Sequence, residues 1–389
     1  MRDRLRGVYP KSQPATIETP TSAFACSPDG AKVVCANGNT AELWDMTTGK
    51  RIRSFQHPEV VIRVALSPRS DLLLTATAGR KTPVRQWDVE TGKVLRKYPS
   101  PFAESAAVEP AKRDSKGVAS MQLWMFKFDG AVSADGFGFT SIAFDSTADR
   151  VAAGCEDGTI LIWNAKTCKA IDRIAGKANR ISSVAFARDG SRLLVAAKGD
   201  IIQLWNLQTR AMIRQYDENR EDNWVQGYRP SIAFCSDGSK FAFYGPRSRA
   251  IFVCDSKTGK EICRLPEDSC APACPSNTTA VAPYEGGKLA ISQEPGLSFL
   301  PEGNCLLSHV GWILKVWDIR SRTCIHRHVR RSGVNWGYAY PNVEYVQYLP
   351  DVDSAIAVEL ENDENTGHDF WTTISYVPLS QFEDVPQRK

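Results

Sequence analysis

The sequence predicts an all-β protein built from repeats of one four-strand unit, and three observations carry that expectation. Six stretches align on a common phrase, and where neighbouring copies are uninterrupted their Trp anchors recur every 42–43 residues, from Trp44 to Trp87 and from Trp163 to Trp205. Each copy holds four short strand signals divided by turns. Apolar residues at helical spacing are missing over any comparable length.

The first copy, from Ala23, reads AFACSPDGAKVVCANGNTAELWDMTTGKRIRSF. Its relatives continue through VALSPRSDLLLTATAG, SIAFDSTADRVAAGC, SVAFARDGSRLLVAA, SIAFCSDGSKFAFYG and SFLPEGNCLLSHVG, the last two being the loosest. The first strand of a copy alternates apolar and polar, as in Ser183-Val184-Ala185-Phe186. A turn such as Ser27-Pro28-Asp29-Gly30 follows, where Pro presets one turn residue and Gly supplies positive φ. The second strand is a continuous apolar run, as in Leu193-Leu194-Val195-Ala196-Ala197, which suits burial on both faces. A tight turn, Asn37-Gly38 or Asp157-Gly158, leads into a third strand that ends at the Trp. A Thr-Gly-Lys turn then introduces an alternating fourth strand, as in Val94-Leu95-Arg96-Lys97-Tyr98.

These copies resemble the WD-repeat family. The Trp-Asp pair stands at Trp44-Asp45, Trp87-Asp88 and Trp317-Asp318, becomes Trp-Asn at Trp163-Asn164 and Trp205-Asn206, and becomes Cys-Asp at Cys254-Asp255. The resemblance covers roughly residues 20–330 and implies a β-propeller of four-stranded antiparallel blades. A four-stranded sheet cannot bury both faces alone; stacked radially, each blade covers the next, and Trp44, Trp87, Trp163, Trp205 and Trp317 are expected to fill the space between blades. The tail supplies three further strand signals, VEYVQYLP, SAIAVELE and WTTISYVPL. The family closes its ring by lending the missing outer strand from the other terminus, here Ala15-Thr16-Ile17-Glu18-Thr19, which removes exposed edges. Six copies plus this composite make seven blades; an eighth around Trp124 is the alternative. The domain plan is a flexible segment at 1–14, one propeller over 15–382 with insertions at about 99–139 and 267–296, and a tail at 383–389. The family's Asp-His-Ser/Thr-Trp network is thinly kept: His57 precedes the second copy, Asp157 sits in the tight turn of the third, and Gly176-Lys177 stands where Gly-His is usual. His57 and Asp157 are therefore expected to be structural.

Composition narrows the function classes. A hydrophobic fraction of 42% and a charged fraction of 24% are those of a globular protein, and no run approaches the ~18 apolar residues of a membrane span. The N-terminus MRDRLRGVYPKSQP has no apolar stretch of the secretory kind, so a cytoplasmic or nuclear chain with reduced thiols is expected. The net charge of +4 does not by itself predict nucleic-acid binding. No catalytic constellation, phosphate loop or nucleophile elbow is written in the chain, and a propeller enzyme with groups gathered at the channel mouth is kept only as an alternative. His326 and His328 share one strand face without further ligands at metal spacing, and Cys270 and Cys274 lack a second pair, so no metal or cofactor is expected.

The informative bias lies in the loops that the resemblance places on one face, the top: those leading into first strands and the turns between second and third strands. They carry Arg80 and Lys81, Lys177 and Arg180, Lys198, and Trp224 with Tyr228 and Arg229. They continue with Arg247 and Arg249, Trp312, Arg330 and Arg331, and Trp336 with Tyr338. Arg, Trp and Tyr dominate binding hot spots, and a basic concave face attracts acidic or phosphorylated segments. The expected role is a non-catalytic scaffold that binds protein or peptide partners there, without a membrane. A nucleic-acid or histone-tail reader is the alternative that the same basic residues support.

Overall fold

The computed structural model describes residues 23–78, 83–99, 138–175, 180–217, 231–245, 248–266, 296–310, 313–329, 342–349, 354–362 and 370–384. The expected ring-closing strand Ala15–Thr19, Trp124 and nearly all of both insertions lie outside these residues.

Six units follow one plan, four antiparallel strands paired in chain order. Unit one is β1 (Phe24–Cys26), β2 (Lys32–Asn37), β3 (Thr40–Asp45) and β4 (Lys50–Gln56); unit two is β5 (Val61–Leu66), β6 (Leu72–Thr77), β7 (Val84–Asp88) and β8 (Val94–Tyr98). Unit three is β9 (Phe139–Phe144), β10 (Arg150–Cys155), β11 (Thr159–Asn164) and β12 (Ala170–Ala175); unit four is β13 (Ile181–Phe186), β14 (Arg192–Ala197), β15 (Ile201–Asn206) and β16 (Ala211–Asp217). Unit five is β17 (Ile232–Phe234), β18 (Lys240–Gly245), β19 (Ala250–Asp255) and β20 (Glu261–Pro266); unit six is β21 (Leu297–Phe299), β22 (Cys305–Val310), β23 (Ile313–Asp318) and β24 (Thr323–Val329). A three-stranded sheet follows, β25 (Asn342–Leu349), β26 (Ser354–Asn362) and β27 (Phe370–Pro378). After a short 3-10 turn, Glu383–Asp384 form β28, which pairs back onto β24 as a fifth strand of unit six.

Each strand adopts the burial its pattern asks for. Leu193–Ala197, the apolar run in β14, is wholly buried, because neighbours cover both faces. Fourth strands keep their outer residues exposed; in β4 only Phe55 is buried. The units pack face to face in chain order, and the third-strand Trp reaches into the preceding unit. Trp87 joins Val34, Leu43 and Phe55 of unit one; Trp163 joins Leu74, Val84 and Tyr98 of unit two; Trp205 joins Ile160, Ile162 and Ile174 of unit three; Trp317 joins Ile251, Val253 and Leu265 of unit five. Losing such a side chain costs about 3–5 kcal/mol. Units two and three share one core directly, with Ile62 and Phe139 in the same cluster. Unit six meets the three-stranded sheet through Leu307, Leu314 and Val316 against Ala355 and Val377. Trp44 alone among these anchors stays half-exposed, and its buried indole N–H has no acceptor among the described residues.

The turns explain why Trp-Asp and Trp-Asn serve equally. The residue after the Trp accepts backbone N–H groups through Oδ1: Asp45 from Thr47 and Thr48, Asn164 from Lys166 and Thr167, Asn206 from Gln208 and Thr209, Asp255 from Lys257 and Thr258. One amide or carboxylate oxygen suffices, so either side chain closes the turn. Four residues after that acceptor the chain takes positive φ, at Gly49, Gly92, Cys168, Arg210, Gly259 and Arg322. Arg210 is tolerated in that conformation while its Nε bonds Asp172 of unit three at 3.1 Å.

A bulge recurs beside every anchor. In unit one Trp44 opposes Arg51 while Leu43 opposes Arg53, which leaves Ile52 without a partner. The same slip isolates Leu95, Ile171, Ile213, Ile262 and Ile325 in the other fourth strands. An extra residue bends the strand and increases its twist, so each outer edge curls away from a flat sheet.

Candidate partner-binding surface

Six equivalent backbone hydrogen bonds build the top face. In each unit the N–H at the end of the second strand donates to a carbonyl just before the first: Ala36 to Ala23, Ala78 to Val60, Glu156 to Gly138, Lys198 to Arg180, Tyr244 to Ser231 and His309 to Gly296, at 2.8–3.4 Å. The loop leading into a unit is thus fastened beside that unit's tight turn. Units one and two are also joined here, by Val61 N–H to the Gly38 carbonyl at 2.8 Å, while His57 N–H to the Asn39 carbonyl, also 2.8 Å, extends the β3–β4 ladder.

Arg180, Lys198 and Arg249 are the sequence-selected binding residues that fall within the described chain. The first two are brought together by the bond just given; Lys198 and Arg249 are exposed on the tight turns of units four and five. Arg249 takes a positive φ of 47°, an uncommon conformation for a residue that carries a Cβ. Glu59, Glu156, Asp157 and Asp200 stand on the same face. Arg80, Lys81, Lys177, Trp224, Tyr228, Arg229, Arg247, Trp312, Arg330, Arg331, Trp336 and Tyr338 lie outside the described residues.

Beneath this face, unit two holds a buried polar chain. His57 Nδ1 lies 2.9 Å from the Phe55 carbonyl, which can only accept, so Nδ1 carries the proton. Nε2 therefore accepts from the Thr75 hydroxyl at 2.8 Å, and Thr75 Oγ1 accepts the Trp87 indole N–H at 2.9 Å. Burial holds the imidazole neutral, lowering its pKa to about 4. Asp157 does not join such a chain; it caps its own turn, receiving the Thr159 N–H and hydroxyl at 2.9 Å each. Elsewhere the indoles find other acceptors: Trp317 donates to Ser308 Oγ at 2.9 Å and Trp205 to Gln203 Oε1 at 3.1 Å. His309, fully buried in unit six, has neither ring nitrogen bonded among the described residues, and burial pushes its pKa down to about 3.

Reading along the chain misses the ties between units, because each joins residues that only stacking makes neighbours. On the outer rim Arg53 donates to the Thr91 carbonyl at 3.2 Å and Arg96 to the Lys166 carbonyl at 2.7 Å. Under the units a relay runs from Ser146 to the Arg188 carbonyl, from Arg188 to the Ser236 carbonyl at 2.9 Å, and from Ser236 to the Pro301 carbonyl at 2.7 Å. The equivalent positions of units one and two are Pro28 and Pro68, which have no such donor. A signal was present in the recurring basic residue of the fourth strand, but the repeat pattern alone does not say what it touches.

The WD domain, G-beta repeat family matches residues 128–164. Transducin beta-like protein 3 of Bos taurus is 24% identical over 308 residues, 78% of this chain and 32% of that protein. WD repeat-containing protein 91 homolog of Dictyostelium discoideum is 26% identical over 206 residues, 49% of this chain and 27% of that protein. Autophagy-related protein 16 of Arabidopsis thaliana is 20% identical over 246 residues, 57% of this chain and 47% of that protein. The chain spans less than half the length of each of these relatives. Six units of the same plan and the same turns, together with these matches, support a diverged member of the WD-repeat family.

Proposed function

We propose that the chain forms a closed seven-bladed propeller and works as a non-catalytic scaffold, holding protein or peptide partners on its top face. The observation that carries the reading is the set of six backbone bonds that clamp the incoming loop of each four-stranded unit beside its tight turn. Loops held on stiff sheets lose little ordering entropy when a partner binds. Arg180, Lys198 and Arg249, with the basic and aromatic residues that the sequence assigns to neighbouring loops, favour acidic or phosphorylated segments. A cytoplasmic or nuclear setting goes with that role.

Three observations support the ring. The three-stranded sheet is one strand short of a blade, and Ala15–Thr19 has the composition to complete it. Among the described residues no unit precedes that of Trp44, and its indole N–H has no acceptor there. The direct core between units two and three favours an insertion at about 99–139 over an eighth blade. One relative, WD repeat-containing protein 91 homolog, carries WD repeats by name, and scaffolding is the role general to such proteins.

The test is capture of partners from the native cell by proximity labelling, repeated with Arg180, Lys198 and Arg249 reversed to Glu together, and separately with Arg80, Arg229 and Arg331 reversed. The same proteins should be labelled about tenfold less while the circular dichroism spectrum is unchanged. Labelling that is indifferent to both triple variants would sink the top-face reading.

A further inference from the structure

The chain shows on itself how its outer rim takes a ligand. β28 adds to the exposed edge of β24, with Asp384 opposite His326 and Glu383 opposite Arg327. Phe382 precedes the acidic pair, is buried among Leu307, Leu314 and Val316, and sets its ring 5.5 Å from that of His328. An acidic extended segment is thus seated as a fifth strand on a basic fourth strand, just past the bulge at Ile325.

The other five units end at four strands among the described residues, so their outer edges are open there. Such an edge offers a row of unused N–H and C=O groups. The positions equivalent to His326 and Arg327 are nine and ten residues after the Trp anchor. They are Arg53-Ser54 in unit one, Arg96-Lys97 in unit two, Asp172-Arg173 in unit three, Arg214-Gln215 in unit four and Cys263-Arg264 in unit five. Only unit two presents two cations. β8 carries no acidic residue, Lys97 is exposed, and the preceding Val94 and Leu95 are 39% and 43% exposed. The strand is rigid from behind: Tyr98 is buried with its hydroxyl on Gln86 Oε1 at 2.6 Å, and Arg96 is anchored through Nε to unit three. The bulge at Leu95 opposes pairing with a long flat strand and leaves room for a short one.

We propose that β8 is a second interaction surface, which takes an extended acidic segment of a partner protein by strand addition. The segment carries two consecutive acidic residues flanked by apolar ones. Main-chain bonds to β8 supply affinity; Arg96 and Lys97 select the acidic pair, and Leu95 with Val94 meets the apolar residue beyond it. This surface lies on the rim and is independent of the top face.

The test uses the full chain and a fluorescein-labelled peptide of the sequence LSQFEDVP, the chain's own 379–386. Its β24 site is filled in cis by β28, so the peptide reports the remaining edges. Fluorescence anisotropy should show saturable binding that weakens about tenfold in Lys97→Glu, whose side chain is exposed and whose fold is checked by circular dichroism. Hydrogen exchange should show new protection of the amides of residues 94–98. A peptide N-methylated at both its Glu and its Asp should fail to bind, because strand addition needs whichever of these alternating amides faces β8. The triple variant of Arg180, Lys198 and Arg249 should bind as the native chain does, which separates this surface from the top face. No binding, binding unchanged in Lys97→Glu, equal binding of the N-methyl peptide, or protection confined to another strand or to the top loops would each overturn the proposal.

Discussion

In unit two the slot facing the preceding unit is filled by Trp87, whose N–H ends on Thr75, which is held in turn by His57. In unit five the same slot holds Cys254, with no indole or imidazole among the described residues that line it. The volume comes instead from Phe241, Phe243 and Phe252, with Phe243 and Phe252 stacked at 4.8 Å and Tyr216 of unit four 4.8 Å from Phe243. Both slots are closed to water. An interface between stacked sheets requires apolar volume; the polar chain around Trp87 adds orientation to that volume and makes it sensitive to pH.

The largest effect should come from emptying either slot. Trp87→Ala and Phe252→Ala are each expected to destabilise by about 3–5 kcal/mol, while Cys254→Ala costs about 1 kcal/mol or less. Hydrogen exchange of the amides in β6 and β18 reads the two slots separately, which matters because a repeat array need not unfold in one step. If Cys254→Ala matched Trp87→Ala, the Phe stack would not be what fills unit five.

Acid should separate the two regions next. His57 titrates near 6.5 unfolded and at about 4 folded. Between those values the unfolded chain binds the extra proton, so stability present above pH 6.5 is lost as pH falls towards 4, by about 3 kcal/mol in all. Amides of β6 should lose protection over that window more than those of β18. In His57→Asn the difference should vanish; if it persisted, the slope would belong to another group, and His309 in unit six is the one to substitute next.

The smallest effect should be shared. Gly92 and Gly259 close the same turn at φ of 73° and 66°, and a Cβ at either would meet an arginine side chain of the preceding unit, Arg53 or Arg214, at 2.9 Å. Gly92→Ala and Gly259→Ala should each cost about 1 kcal/mol, read as a drop in the thermal midpoint. Equal losses would show that the turns obey one local rule while the slots between them do not.

Much of the fold was legible along the chain. Leu193–Ala197 read as a strand buried on both faces because its apolar run is local, and Asp157-Gly158 read as a tight turn because Gly reaches positive φ without a Cβ. His57 was recognisable from its place before the second unit, yet its partner Thr75 was one hydroxyl among many until the sheets were stacked. For the candidate surface, Arg180 and Lys198 were chosen from separate loops. That they meet follows from one backbone bond between residues eighteen positions apart in sequence.

By itself, then, the sequence determined the repeat period, the four strands of each unit, the turn chemistry and the WD-repeat resemblance, since all of these depend on residues within one copy and on its likeness to the next. Only the tertiary structure decided which group answers each indole, how the Phe stack replaces a lost Trp, where the units are tied, and that Glu383–Asp384 return to β24. Those are contacts between copies or between distant ends, and no local pattern records a neighbour that stacking alone creates.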